Sequence, residues 1–306
     1  MCKGTESFNN ATEIICDGLR ESIQRIPDGK KRTVQEVRLR TGKPVAFSDG
    51  RDVYFTDKNG SICYSPSERT MCATQKNIYD TYRRLCSYSV YTHRDEIKNG
   101  YITVRGGHRV GLCGTAKNEN GIISAVDHIS SLNIRIARQI IGAADGLISK
   151  IAPIDGGVLI AGKPSDGKTT LLRDLARSVS IGRGCKMMRI SLIDERGELS
   201  GTYSGIAGCD VGLCDVFNGY SKKDGIISAL RSMSPNVIAV DEIGDESDAD
   251  SVIAGLNAGV LFFATIHAGS IDELLRRRQS KKLLDTGAFK YAVILRSLRT
   301  EEIITL

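Results

Sequence analysis

A chain of 306 residues exceeds the usual size of one domain, so two folding units are expected. Hydrophobic content of 41% and charged content of 25% suit a globular protein and exclude a disordered or fibrous one. The net charge of +6 arises from 42 basic residues interspersed among 36 acidic ones, so no basic block marks the chain as a nucleic-acid binder.

The nine cysteines include no C-x-x-C pair and are odd in number, which reads as reduced thiols rather than a disulfide framework. Cys209 and Cys214 lack the second Cys or His pair that would complete a zinc set. The start, MCKGTESFNN, lacks the charged-then-apolar pattern of an export signal. The uncharged run from Ser251 to Ile266 is too short for a bilayer and is interrupted by Gly255, Asn257 and Gly259, so it divides into a helix and a strand. A cytoplasmic location is therefore expected.

From Asn10 the pattern N-A-T-E predicts a capping box, with Ile14, Ile15, Leu19, Ile23 and Ile26 following at helical spacing as one amphipathic helix. Short alternating runs come next: Val37 and Leu39 in EVRLR, Val45 and Phe47 in PVAF, Val53 and Phe55 in DVYF. Ile78, Tyr82 and Leu85 predict a second helix, and the run SYSVYTHRDEIKNG should stop at Gly100. Gly106 and Gly107 between two extended runs signal a hairpin, and NIRIAR at 133–138 is a further strand. Residues 1–140 thus read as an N-terminal α+β domain, and 141–156, rich in Gly, Ala and Ile, as a linker helix and hinge.

From 157 to 306 apolar strands alternate with helical stretches: GGVLIAG, 168–180, KMMRISLI, 223–233, NVIAV, 246–258 and VLFFATI. That rhythm predicts an α/β domain with a mainly parallel sheet.

The segment GKPSDGKT fits G-x-x-x-x-G-K-[ST] at every position. An apolar strand precedes it and a helical run follows, as phosphate binding requires. The candidate nucleotide-binding residues are Gly162, Lys163, Pro164, Ser165, Asp166, Gly167, Lys168 and Thr169, with Thr170 beside them. The two glycines let the backbone curl so that N–H groups at the helix start face phosphate oxygens. Lys168 would hold the β and γ phosphates of ATP, and the Thr169 hydroxyl would ligate Mg²⁺.

In parallel α/β sheets ligands lie at the carboxyl ends of strands. NVIAVDEIGD ends a strand in Asp241 and Glu242, which suit a Mg²⁺ carboxylate and a general base for water respectively. Asp194 and Glu195 in DERGEL and His267 after VLFFATI should reach the same edge. A helix cap, a surface ion pair with Arg196 or a structural histidine would explain each in isolation.

With these motifs in this order, residues 157–306 resemble the secretion ATPases of type II and type IV systems and the pilus motors: DERGEL resembles their aspartate box and TIHAGS their histidine box. Across nearly the whole chain, EVRLRTGKPV, VRGGHRVGLCG, ISSLNIRIAR, GKTTLLRDLAR, IDERGE and RSMSPNVIAVDEIGD resemble the stage III AA family of endospore-forming bacteria. The resemblance implies a RecA-like ATPase domain, a homo-hexameric ring, and arginines of the N-terminal domain completing ATP sites. The arginines carried over are Arg105 and Arg109, with Arg135 and Arg138 behind them. It also implies membrane-protein partners of a sporulation channel, and a peripheral position through them. The chain departs from the wider motor pattern with Asp241 where many carry Gly and Gly244 where they carry Arg.

Three alternatives compete. A RecA-like motor translocating nucleic acid would want an aromatic-and-basic stripe, which is missing, although Arg276 to Arg278 and Tyr82 to Arg84 could meet phosphates. A binding scaffold without turnover conflicts with the complete set of Lys168, Thr169, Asp241 and Glu242. A small-molecule kinase conflicts with the long preceding domain and the lack of a lid.

Overall fold

The computed structural model describes residues 3–86, 96–97, 100–119, 122–296 and 299–306. The run read as helical before Gly100 lies largely outside the described residues. The chain forms two compact units, one of residues 1–138 and 201–208, the other of 139–200 and 209–306.

In the first unit the expected single helix is two. Lys3–Thr12 ends where the Thr12 hydroxyl donates to the Phe8 carbonyl at 2.9 Å, and Asp17–Gln24 begins afresh. Asn10 therefore lies inside a helix and is not its cap. The apolar spacing still holds across the break, because Ile15, Leu19 and Ile23 are all buried. The helix Gln75–Leu85 starts with Thr74 and Asn77 in a reciprocal capping arrangement and buries Ile78, Tyr82 and Leu85.

The strands of this unit are β1 (Glu36–Arg40), β2 (Lys43–Pro44), β3 (Ala46–Ser48), β4 (Val53–Thr56), β5 (Ile62–Cys63), β6 (Cys72–Ala73), β7 (Tyr101–Val104), β8 (His108–Glu119) and β9 (Ile122–Arg135). Seven form an antiparallel sheet in the order β5-β4-β3-β1-β9-β8-β7, while β2 pairs with β6. β4 has the opposite facing from that expected: Val53 is exposed, while Tyr54 and Thr56 are buried, with Tyr54 stacked on Phe47. A strand shows alternate residues to opposite faces, and the large ring of Tyr54 took the inner one. The β7–β8 hairpin turns through Gly106 and Gly107, both at positive φ as the turn requires. There the segment 201–208 packs so closely that a Cβ on Gly201 would lie 2.5 Å from the Cα of Gly107.

The second unit carries β10 (Gly157–Gly162), β11 (Ile190–Asp194), β12 (Asp215–Asn218), β13 (Val237–Ile243), β14 (Leu261–His267), β15 (Phe289–Arg296) and β16 (Arg299–Thr305). They form one sheet in the order β12-β11-β13-β14-β10-β15-β16, parallel except for the β15–β16 pair. The sheet core is apolar along β10 and the first four residues of β13, where Val158, Leu159, Ile160, Val237, Ile238 and Val240 are inaccessible to water. Parallel strands buried on both faces take continuous apolar runs. β12, β15 and β16 extend the sheet beyond the strands read from the sequence. The segment 141–156 contains the helix Asp145–Ile151, whose start is tied to the second unit by Gly142 and Ala144 N–H groups donating to the buried Asp174.

Candidate functional site

The sheet order sets β10, β14, β13 and β11 side by side, so residues ending these four strands share one edge. Register refines this: Gly162 at the end of β10 pairs with His267 at the end of β14. From Gly162 the loop curls through Ser165 and Gly167, at φ 68° and 94°, into the helix Lys168–Ser180. Asp166 braces the curl from within, its Oδ2 accepting from Lys163 N at 2.8 Å. The first N–H groups of that helix have no carbonyl of their own helix to bond, which makes the loop an anion cradle.

Lys168 is 7% exposed and its ammonium donates to the carbonyls of Gly162 and Lys163 and to His267 Nδ1, each at 3.0 Å. Burial pushes its pKa down, against the pull of Asp241, Glu242 and Asp166. An ammonium can only donate, so His267 Nδ1 is the acceptor and its Nε2–H donates to Glu242 Oε1 at 3.1 Å. The other Glu242 oxygen stands 3.5 Å from Arg196 Nη1.

Asp241 is held from both sides. Its Oδ2 accepts from the Thr169 hydroxyl at 2.8 Å and its Oδ1 from the Thr265 hydroxyl at 2.5 Å. Burial pushes its pKa up and the two hydroxyls pull it back. Thr169 and Asp241 together offer hard oxygen donors and neither nitrogen nor sulfur, which fits Mg²⁺ shared with phosphates. Among the described residues no group of three or more His, Cys, Asp or Glu surrounds a possible metal position. The oxygen pair therefore fits a cation held jointly with substrate rather than by the protein alone.

Asp194 and Glu195 border the same cleft as Asp241 and Glu242 but are differently engaged. Asp194 is 1% exposed, and its carboxylate accepts from Leu199 N, Ser200 N and the Ser200 hydroxyl, folding the DERGEL loop onto itself. Arg173, on the helix that follows the phosphate loop, grips that loop from behind through the Leu199 and Glu198 carbonyls. Glu195 pairs with Lys222 at 2.8 Å, and Lys222 reaches on to Asp248 at 3.3 Å. Burial opposes the Lys222 charge, yet these two carboxylates outweigh it and raise its pKa.

Thr265 and Lys222 were not singled out from the sequence. Thr265 could have been, because period-two alternation sets it on the same strand face as His267. Lys222 had no signal: it is an ordinary lysine in the first turn of a helix.

Lys168, Thr169, Asp241, Glu242 and His267 thus meet in the second unit, whereas Arg105 and Arg109 belong to the first. Arg105 is exposed and borders a cleft with Glu6, Glu13 and Tyr203; the Arg109 guanidinium lies 4.8 Å from the Tyr101 ring centre. Arg135 stands 3.8 Å from Glu36, and Arg138 donates to the Lys31 carbonyl.

Comparison with known proteins agrees with this architecture. The profile of the family described as sporulation stage III, protein AA matches residues 6–304. Stage III sporulation protein AA of Bacillus subtilis (strain 168) is 36% identical over 286 residues, covering 92% of this chain and 89% of that protein. Among solved structures, the pilus retraction motor PilT with bound ADP superposes with a TM-score of 0.56 at 16% identity, over 91% of this chain and 76% of that one. The Legionella pneumophila ATPase DotB gives 0.52 at 15% identity, over 86% and 72%. The fold is that of these RecA-like proteins, an α/β domain with an α+β unit before it. No helix among the described residues is long and apolar enough to cross a membrane. The chain belongs to the sporulation stage III protein AA family.

Proposed function

We propose that this protein is a Mg²⁺-dependent ATP hydrolase whose turnover drives the assembly or operation of a membrane channel complex during sporulation, between mother cell and forespore. One observation carries the enzymatic part: a phosphate loop, a hydroxyl–carboxylate pair and a second carboxylate are joined along adjacent strand ends by one hydrogen-bond chain, closed where Glu242 N donates to the Thr265 hydroxyl. Membership of a sporulation family supports the setting, and the fold shared with a pilus retraction motor supports work on a membrane complex.

In this reading the loop backbone from Gly162 to Thr170 and the Lys168 ammonium bind the triphosphate. Thr169 and Asp241 would hold Mg²⁺, which would neutralise negative charge on the phosphates. Glu242 accepts a proton from the attacking water, and His267 and Arg196 fix its two oxygens. Lys168 loses its His267 contact to phosphate, so His267 can follow nucleotide state. Asp194 shapes the DERGEL loop, and Glu195 is the member of that pair whose carboxylate is open to solvent. Arg105 or Arg109 of a neighbouring copy in a hexamer would stabilise charge on the γ phosphate and couple domain motion to hydrolysis.

The test is steady-state ATP hydrolysis across a protein concentration series with mass followed by light scattering, alongside Lys168→Ala. Turnover that climbs as a six-subunit species forms, and that falls at least about 100-fold in the variant, is expected. Turnover equal in the variant, or in the monomer, contradicts the proposal.

A further inference from the structure

The parallel pairing of β13 with β14 is interrupted at one place. Val240 pairs with Ala264 and Ile243 with Ile266, so Asp241 and Glu242 together oppose the single residue Thr265. This two-against-one arrangement is a bulge, which is rare between parallel strands and tends to re-aim side chains at functional sites. Glu242 adopts φ 47° there, left-handed backbone that a glutamate rarely takes and that must be held by its surroundings.

The holder is the Thr265 side chain. Its hydroxyl accepts from Glu242 N at 2.7 Å and donates to Asp241 Oδ1 at 2.5 Å. One hydroxyl thus replaces the carbonyl acceptor that the bulge removes from the ladder and also orients the neighbouring carboxylate. Thr265 is fully buried, and its backbone pairs with Ile160 of β10, two residues before the phosphate loop begins at Gly162. The same residue is therefore fixed to the phosphate-loop strand on one side and to both acids on the other.

We propose that Thr265 is a positioning residue for ATP hydrolysis: its hydroxyl sets the bulge that aims Glu242 at the attacking water while leaving nucleotide binding to the loop. This rests on the hydrolase reading above. The inference separates hydroxyl from bulk. Thr265→Val keeps the volume and removes the hydroxyl, while Thr265→Ser keeps the hydroxyl and removes a methyl. A side chain present only to fill space would tolerate valine and suffer from serine; the hydroxyl relay demands the reverse.

The experiment measures kcat and KM for ATP, binding of a fluorescent ATP analogue, and melting temperature on the full chain. Thr265→Val should lose up to about 100-fold in kcat, in line with the cost of misplacing a reacting group by about 1 Å, with nucleotide affinity within about threefold of wild type. Thr265→Ser should keep kcat within about threefold. If the valine variant does not fold, Thr265→Ala against Thr265→Ser makes the same comparison between two small side chains. Wild-type kcat in the hydroxyl-free variants, or equal losses with and without the hydroxyl, overturns the inference and leaves the hydrolase reading intact. A wild type whose turnover does not exceed that of Lys168→Ala overturns both.

Discussion

The two sheets of this molecule place their polar residues differently. In the second unit the parallel strands are mostly apolar, with Ser191 and Thr265 as buried polar exceptions, and Gly162, His267, Asp241, Glu242 and Asp194 stand at one set of strand ends. In the first unit the antiparallel sheet buries Tyr54 in β4 and His108 beside the β7–β8 turn, and Tyr54 Oη and His108 Nε2 have no hydrogen-bond partner among the described residues. A parallel sheet gathers what its loops carry to one edge. An antiparallel sheet sends successive strand ends in opposite directions and has no such edge, so buried polar groups such as these two bear on stability.

Changes at these buried groups should therefore be read in stability. His108 is 2% exposed, its Nδ1 accepts from Ala137 N, and burial with the nearby Arg138 charge lowers its pKa from 6.5 to about 4. The folded chain cannot take this proton until about pH 4, while the unfolded chain takes it below 6.5. The stabilisation is complete above pH 6.5 and is lost as pH falls towards 4, a difference of about 3 kcal/mol. Denaturant unfolding at pH 7.5 and 4.5 should show that loss, and His108→Asn, which keeps an acceptor near Nδ1, should flatten it. An unchanged slope would place the titration elsewhere.

The contrast sharpens with Lys222, in the second unit. Lys222→Met removes the pairing of Glu195 and Asp248, so turnover should fall by about tenfold while the melting temperature, set by the apolar strands, barely moves. A large loss of stability with unchanged turnover would reverse the assignment. The smallest effect is expected at Tyr54→Phe. This removes a buried hydroxyl that has no partner among the described residues but keeps the stack on Phe47, so stability by denaturant unfolding should stay level or rise by up to about 1 kcal/mol. A clear loss would mean that the hydroxyl is satisfied in solution.

How far the sequence spoke also differs between the units. The phosphate loop and the acids after NVIAV were legible because local chemistry dictates them: glycines where the backbone must curl, and apolar runs that must end where water begins. The two-helix start was not, because the break after Thr12 leaves the apolar spacing intact, with Ile15, Leu19 and Ile23 all buried. Nor was the facing of β4, since Val53, Tyr54 and Phe55 are all apolar enough to face inward and packing alone chose Tyr54. Thr265 and Lys222 act through partners more than twenty residues away, and no local pattern records such pairings. The grouping of 201–208 with the first unit is likewise a consequence of tertiary contact at Gly107.

The most direct test of a hydrolytic edge in the second unit is Glu242→Gln, with ATP affinity and single-turnover hydrolysis measured on the same preparation. The glutamine keeps shape and a hydrogen bond to His267 but cannot accept a proton. We expect ATP affinity within about threefold of wild type and a hydrolysis rate lower by about 100-fold or more. Hydrolysis at the wild-type rate would contradict the assignment of Glu242 and, with it, the reading of this strand edge as a catalytic site.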